Sequence, residues 1–290
     1  MSSTNERNLS SPRIVRELLA KEGIRPLKRW GQNFLVDLNT LNRIIDAANL
    51  LPNDGVLEIG TGLGTLTQAL ATKAERVVTV EIDPLLKRIL ETTLSETMNV
   101  TIIEGDFLKI KLNELIAPLG QRPIRVVANV PYYITSPIIE RLLEHKKDFT
   151  RIVLLVQKEY AARLSAAPDT PEYGALTLFA QYHSHVVTEL MVSKNVFYPS
   201  PEVDSAVVSL TPIPPRLLPE VERVFFLCTR AAFRARRKTI INALTAGLSE
   251  EYSRQTISEA LEHVGINPNR RGETMGLVEY LNLAEYLSGH

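Results

Sequence analysis

The stretch VLEIGTGLGTLT, Val56 to Thr67, sets the reading of the whole chain. A short apolar run, Val56 to Ile59, stops at three closely spaced glycines, Gly60, Gly62 and Gly64, and a helix-compatible pattern follows from Thr65. A strand that enters a helix through such a turn brings bare backbone close to a ligand, because glycine has no Cβ to hold it away. Outward from this stretch the texture repeats. Short apolar runs at Gly55 to Ile59, Arg76 to Val80, Val100 to Ile103, Ile124 to Ala128 and Arg151 to Gln157 are separated by helix-length segments. That alternation predicts an α/β fold with a doubly wound parallel sheet.

The glycines are spaced G-x-G-x-G, not the G-x-G-x-x-G of dinucleotide sites, and Glu58 lies two residues before the first of them. The spacing favours S-adenosyl-L-methionine over NAD. Glu81, in VVTVEID, closes the next strand about where an acid accepts hydrogen bonds from ribose hydroxyls. Asp106, in VTIIEGDF, closes a third strand and is placed to accept from the exocyclic amine of adenine. The fourth run ends in ANVPY, Ala128 to Tyr132. The lone pair of an adenine N6 is delocalised into the ring. The side-chain carbonyl of Asn129 and the backbone carbonyl of Val130 can accept the two N6 hydrogens and localise it. Pro131 fixes the loop, and Tyr132 offers a stacking face.

Around this centre, Pro12 to Glu22 and Leu38 to Leu50 carry helical periodicity, and a helical lid over about 12–50 is expected. Ala175 to Leu210 reads as strands, notably His183 to Val192 and Ser205 to Leu210, with His183 and His185 sharing one face. Pro212, Pro214, Pro215 and Pro219 mark a stiff hinge. The expected division is a cofactor-binding catalytic domain, 1–212, and a small all-helical domain, 213–290.

The chain has 33 Lys+Arg and 33 Asp+Glu among 290 residues, so an RNA partner must be held by a local patch. Arg230, Arg234, Arg236, Arg237 and Lys238 form the larger cluster, with Arg25, Lys28 and Arg29 a second near the lid. One cysteine, Cys228, excludes an internal disulfide and fits a reducing compartment. No Cys/His spacing suggests zinc, and no metal is expected. No apolar run is long enough for a membrane span, and the opening MSSTNERNLSSPR lacks the apolar centre of a signal peptide. A cytoplasmic protein is expected.

Eight motifs, LKRWGQNFLV, LEIGTGLGTLT, VEID, EGDFL, ANVPYYITSPII, LVQKEYAARL, VFYPSPEVDSAVV and AFRARRKTIINAL, occur in order over nearly the whole chain. With them the sequence resembles the KsgA/RsmA family of small-subunit ribosomal RNA adenine N6-dimethyltransferases. The resemblance implies a Rossmann-like class I methyltransferase sheet and a helical domain that docks on small-subunit RNA. It implies dimethylation of two adjacent adenosines near the 3′ end of 16S rRNA within a pre-30S particle; a monomer is the simplest expectation for a protein that docks against a particle far larger than itself. By position it assigns Gln32, Asn33 and Leu35 to a segment folded over S-adenosyl-L-methionine, and Gly60, Glu81, Asp106 and Asn129 to the cofactor. Phe197 becomes the aromatic that sandwiches the target adenine against Tyr132. Val130 replaces the family's usual leucine, and Trp30 stands where smaller or aliphatic residues are common. The competing expectations are a large-subunit (23S) rRNA methyltransferase of the antibiotic-resistance type and a non-catalytic ribosome-assembly factor. An NAD-dependent dehydrogenase is the remote alternative.

Overall fold

The alternation between Gly55 and Gln157 becomes a parallel sheet in a computed structural model that describes residues 9–26 and 31–290. Lys28, Arg29 and Trp30 lie outside the described residues. The chain begins with α1 (Pro12–Lys21), β1 (Phe34–Leu35) and α2 (Leu38–Ala48), the last capped by the Asp37 carboxylate accepting from Thr40 N at 2.7 Å. There follow β2 (Gly55–Ile59), α3 (Thr65–Ala71), β3 (Arg76–Glu81), α4 (Pro84–Thr93), β4 (Val100–Glu104), α5 (Leu112–Ile116), β5 (Ile124–Asn129), α6 (Thr135–Glu144) and β6 (Arg151–Gln157). Then come α7 (Lys158–Leu164), α8 (Ala175–His183), β7 (Ser184–Val192), β8 (Phe197–Tyr198) and β9 (Ser205–Pro212).

Seven strands form one sheet in the order β4-β3-β2-β5-β6-β9-β7. β4 to β6 pair in parallel, and β9 runs antiparallel to β6 with Gln157 opposite Ser205. Val56, Leu57, Val77, Val78, Val126 and Val127 are fully buried. Helices cover both faces of such a sheet, which is why its strands read as continuous apolar runs. The order reverses between β2 and β5, and the carboxyl ends at that switch point are Ile59 and Asn129. Open α/β sheets bind their ligands in the crevice there. A second, two-residue ribbon pairs β1 with β8 antiparallel, Phe34 opposite Tyr198 and Leu35 opposite Phe197.

The chain divides into two compact units, the stretch up to Ala161 with Val187–Pro212, and Ala162–Val186 with Ile213–His290. One crossing falls at the prolines. The segment 162–186, assigned by sequence to the first domain, instead belongs to the second unit. The expected strand character of its end is also corrected: Ala175–His183 is helical, with Leu178 and Tyr182 four residues apart on one buried face. Tyr182 stacks on Phe225 at 4.8 Å and His183 on Phe226 at 5.6 Å, so tertiary aromatic packing decides this element. His183 therefore ends a helix, 6% exposed, while His185 lies on β7; they are not a pair on one strand face. The remainder of this unit is α9 (Pro219–Arg234), α10 (Ile240–Gly247), α11 (Arg254–His263) and α12 (Leu277–Ser288), packed around Phe225, Met275, Tyr280 and Leu283.

Candidate active site

The turn after β2 is built for close approach. Gly60, Gly62 and Gly64 all take positive φ, at 80°, 59° and 90°. At Gly62 a Cβ would stand 3.3 Å from the Phe34 ring, so the glycine is needed both for conformation and for packing against the N-terminal segment. The Gly62 N–H donates to Glu81 Oε2 at 2.9 Å, and Glu81 Oε1 accepts from Asp83 N at 2.9 Å. Glu81 thus ties the end of β3 to the glycine turn, and each carboxylate oxygen keeps a further lone pair for a ligand. Burial pushes its pKa up to about 7, against the opposing pull of those backbone donors.

Glu58, inside β2, is fully buried and accepts from Thr67 Oγ1 at 2.6 Å through Oε2. Burial pushes its pKa up to about 8, opposed by the hydrogen bond from Thr67 and reinforced by the charge of Glu81. Its other oxygen, Oε1, is buried with no partner. An unmet buried polar atom is costly, and this one borders the cleft.

Asp106 follows β4, where Gly105 N donates to Glu81 O at 2.8 Å and keeps the two strand ends side by side. Asp106 Oδ1 caps its own turn by accepting from Leu108 N at 2.9 Å. Arg141 of α6 braces the same loop: its guanidinium donates to Phe107 O and Ile110 O and lies over the Phe107 ring.

Asn129 ends β5. Its Nδ2 donates to Asn33 O at 3.1 Å, so the carbonyl end of the amide remains for a ligand. Asn33 in turn donates its Nδ2 to Gly31 O, and Gln32 Nε2 donates to Asp83 Oδ2 at 2.8 Å. These bonds fasten 31–33 across the carboxyl ends of β3 and β5. Val130 is buried with its N–H on Leu155 O, Pro131 holds φ at −56°, and the Tyr132 hydroxyl lies 2.6 Å from Ser205 Oγ.

One cleft gathers Gln32, Asn33, Leu35, Glu58, Gly60, Gly62, Glu81, Asn129 and Pro131. Gly64, Asp106, Val130, Tyr132 and Phe197 are not part of its wall. Gly64 instead caps α3, where a Cβ would press on Thr93, Leu90 and Leu94. Phe197 is 4% exposed and packs with Leu35, Ile44 and Val207, so its ring belongs to the core beneath the cleft.

In the second unit the basic run straddles the end of α9 and the turn into α10, not one helix face. Arg230, Arg234, Arg236, Arg237 and Lys238 are all exposed, and the last four line a groove with Phe233 and Gly247. Arg236 has a structural attachment: its guanidinium donates to Tyr173 O and lies 5.7 Å from the Phe233 ring centre.

A family profile described as "Ribosomal RNA adenine dimethylase" matches residues 25–288. The chain belongs to the ribosomal RNA adenine dimethylase family. Relatives named "Ribosomal RNA small subunit methyltransferase A" share 43% identity with it, one from Alkaliphilus metalliredigens and one from Geobacillus thermodenitrificans. These alignments cover 95% and 97% of this chain and 96% and 97% of the relatives. Among solved structures, a dimethyladenosine transferase from Plasmodium falciparum matches with TM-score 0.75 and 28% identity, over 85% of this chain and 94% of that one. The 23S rRNA methyltransferase ErmE matches with TM-score 0.69 and 30% identity, over 88% and 99%.

Two parts of the cleft's surroundings are not announced by the sequence. Asp83 caps α4 through Leu85 N while receiving Gln32, and the β1–β8 ribbon joins the lid to the loop before β9. The acid of VEID and the paired motifs QNFL and FYPSP are visible in the sequence, but not that they meet.

The buried carboxyl of Glu58 gives this adenine dimethylase a pH signature. Its folded pKa, about 8, lies above the ordinary carboxylate value of 4.5, so the folded state holds a proton that the unfolded chain releases between those values. Stability from this group is present below about pH 4.5 and is lost as pH rises through about 8. Urea denaturation of the cofactor-free protein is expected to show stability falling by on the order of a few kcal/mol across this window. Glu58→Gln should flatten the profile between about pH 7 and 8, leaving below it the fall that the raised Glu81 carboxyl contributes. An unchanged slope in the variant would place the proton elsewhere.

Proposed function

We propose that this chain transfers methyl groups from S-adenosyl-L-methionine to N6 of two adjacent adenosines near the 3′ end of small-subunit ribosomal RNA. The observation that carries the reading is the convergence, in one cleft at the switch point, of the glycine turn, the buried acids Glu58 and Glu81, and the acceptor end of Asn129. The chain is an rRNA adenine methyltransferase by family. The choice of small over large subunit is supported by 43% identity to small-subunit enzymes over nearly the full length.

The residues present fit the cofactor. Gly60 and Gly62 leave room for it, Glu81 keeps lone pairs for its ribose, Asp106 stands at the adjoining strand end, and the unpartnered Glu58 Oε1 borders the same cleft. Gln32, Asn33 and Leu35 cover it. When bound, S-adenosyl-L-methionine supplies an electrophilic methyl on a sulfonium. Asn129 Oδ1 and the Val130 carbonyl accept the two N6 hydrogens and direct the nitrogen lone pair at that methyl. Tyr132 stacks on the base, an interaction worth about 1–3 kcal/mol per base. Positioning of this kind can supply about 7–11 kcal/mol of a barrier. No strong base is needed, because the proton leaves an already methylated, acidic nitrogen.

The groove formed by Arg234, Arg237 and Lys238, with Arg230 nearby, is the proposed seat of RNA phosphates. Replacing Arg234, Arg237 and Lys238 together by Ala should weaken RNA binding and flatten its salt dependence by about 0.7–0.9 in log–log slope for each phosphate no longer neutralised. Binding measured from low to high salt checks this, and an unchanged slope would remove the groove from the interface. Arg236 is left out because its backbone bond to Tyr173 makes it a folding residue as well. The substrate is further proposed to be a pre-30S particle, met by a monomer in the cytoplasm. Among the described residues no helix is long and apolar enough to cross a membrane, and no group of three or more potential metal ligands occurs.

Methyl transfer to undermethylated small and large subunits in parallel tests the assignment. Label confined to the small subunit supports it; label in the large subunit would move the chain to the resistance branch. Binding to particles with no label in either would leave an assembly factor.

A further inference from the structure

Antiparallel pairing carries the start of β9 back to the edge of the sheet where β5 ends. Asn129 is opposite Leu155, Leu155 opposite Val207, and Gln157 opposite Ser205, so Ser205 reaches the loop that follows Asn129. Ser205 is completely buried, and its Oγ lies 2.6 Å from the hydroxyl of half-buried Tyr132. We infer that Ser205 is a positioning residue for the reaction: its hydroxyl pins the phenolic end of Tyr132 and so holds the ring as a ready stacking face for the target adenine. The inference rests on the reading of Tyr132 as the base platform.

The ring is held at both ends. Pro131, at φ −56°, limits the backbone from which Tyr132 departs, and Ser205 limits the swing of the side chain about its first torsion. Burial raises the Tyr132 pKa, so the phenol stays protonated and able to donate. Tyr133, in the same short turn, is 56% exposed and has no such tether among the described residues, so the hydroxyl contact is particular to Tyr132. A stacking face held before the base arrives need not be ordered at the moment of capture. Ser205 touches neither cofactor nor base in this scheme and acts only through Tyr132.

The test is a double-mutant cycle in steady-state methyl transfer to undermethylated small subunits, with cofactor affinity measured separately by calorimetry. Ser205→Ala and Tyr132→Phe, which remove the same bond from opposite ends, should each lower kcat/KM by about fivefold. The double variant should lose no more than either single one, Ser205→Thr should recover most of the activity, and the cofactor Kd should stay unchanged throughout. A fully active Ser205→Ala, or losses that multiply in the double variant, would overturn the positioning role. Full activity in Tyr132→Leu would instead overturn the platform reading itself, so the two failures are distinguishable.

Discussion

Asn129→Ala is expected to lower the rate of methyl transfer by about 10³-fold or more while weakening cofactor binding by less than about tenfold. The asymmetry follows from what each end of the amide does. Oδ1 acts only when N6 is being methylated, and removing one preorganised group of that kind typically costs about 10²–10³ in rate. Misplacing the nitrogen adds to that, since a 1 Å error in a reacting pair can cost about 10²-fold. Nδ2, by contrast, makes one neutral bond to Asn33 O, worth about 1 kcal/mol to the segment that covers the cofactor. Asn129→Asp should be nearly as damaging, because it keeps an acceptor but sets a carboxylate against the Asn33 carbonyl. Single-turnover kinetics at saturating cofactor separates the two effects. A rate within tenfold of wild type for Asn129→Ala would remove this residue from the chemistry.

The second large effect is expected at Glu81. Both of its oxygens accept backbone N–H groups, from part-buried Gly62 and buried Asp83. In Glu81→Gln the amide NH2 must face one of these donors, leaving it unpaired at a cost of about 1–3 kcal/mol, and the glycine turn loosens. The charged acceptor for the ribose is lost as well, which removes roughly another 1.5–3 kcal/mol, the usual worth of a hydrogen bond to a charged group. Cofactor affinity should therefore fall by about 100-fold or more, read by calorimetry. The loss should appear in binding and not in the single-turnover rate at saturation, the reverse of Asn129. An affinity within threefold of wild type would mean that the ribose is held elsewhere.

These two residues are legible in the sequence because each ends a run whose apolar continuity announces a buried parallel strand, and strand ends at a switch point are where ligands gather. The five runs from Gly55 to Gln157 appear as strands with shifts of a residue at most. The features that sequence does not announce have no period to detect. The β1–β8 ribbon is two residues long on each side, and Ser205 reaches Tyr132 only through antiparallel register. Ala175–His183 reads as extended yet folds as a helix, because tertiary packing of Tyr182 and His183 on α9, not local alternation, decides it. Residue type misleads about exposure in both directions. Phe197, expected as an open stacking face, is core in this structure, and Arg236, one of five exposed cations, is also fastened to Tyr173.

Dimethylation of adenine N6 in this cleft, with S-adenosyl-L-methionine as donor, is the chemistry proposed for the protein. It is tested most directly by incubating the protein with undermethylated small subunits and methyl-labelled cofactor, then digesting the RNA and separating the nucleosides. The expected label is N6,N6-dimethyladenosine at two adjacent positions near the 3′ end, with none formed by Asn129→Ala. Label in another nucleoside, or dimethyladenosine formed equally well by Asn129→Ala, would contradict it.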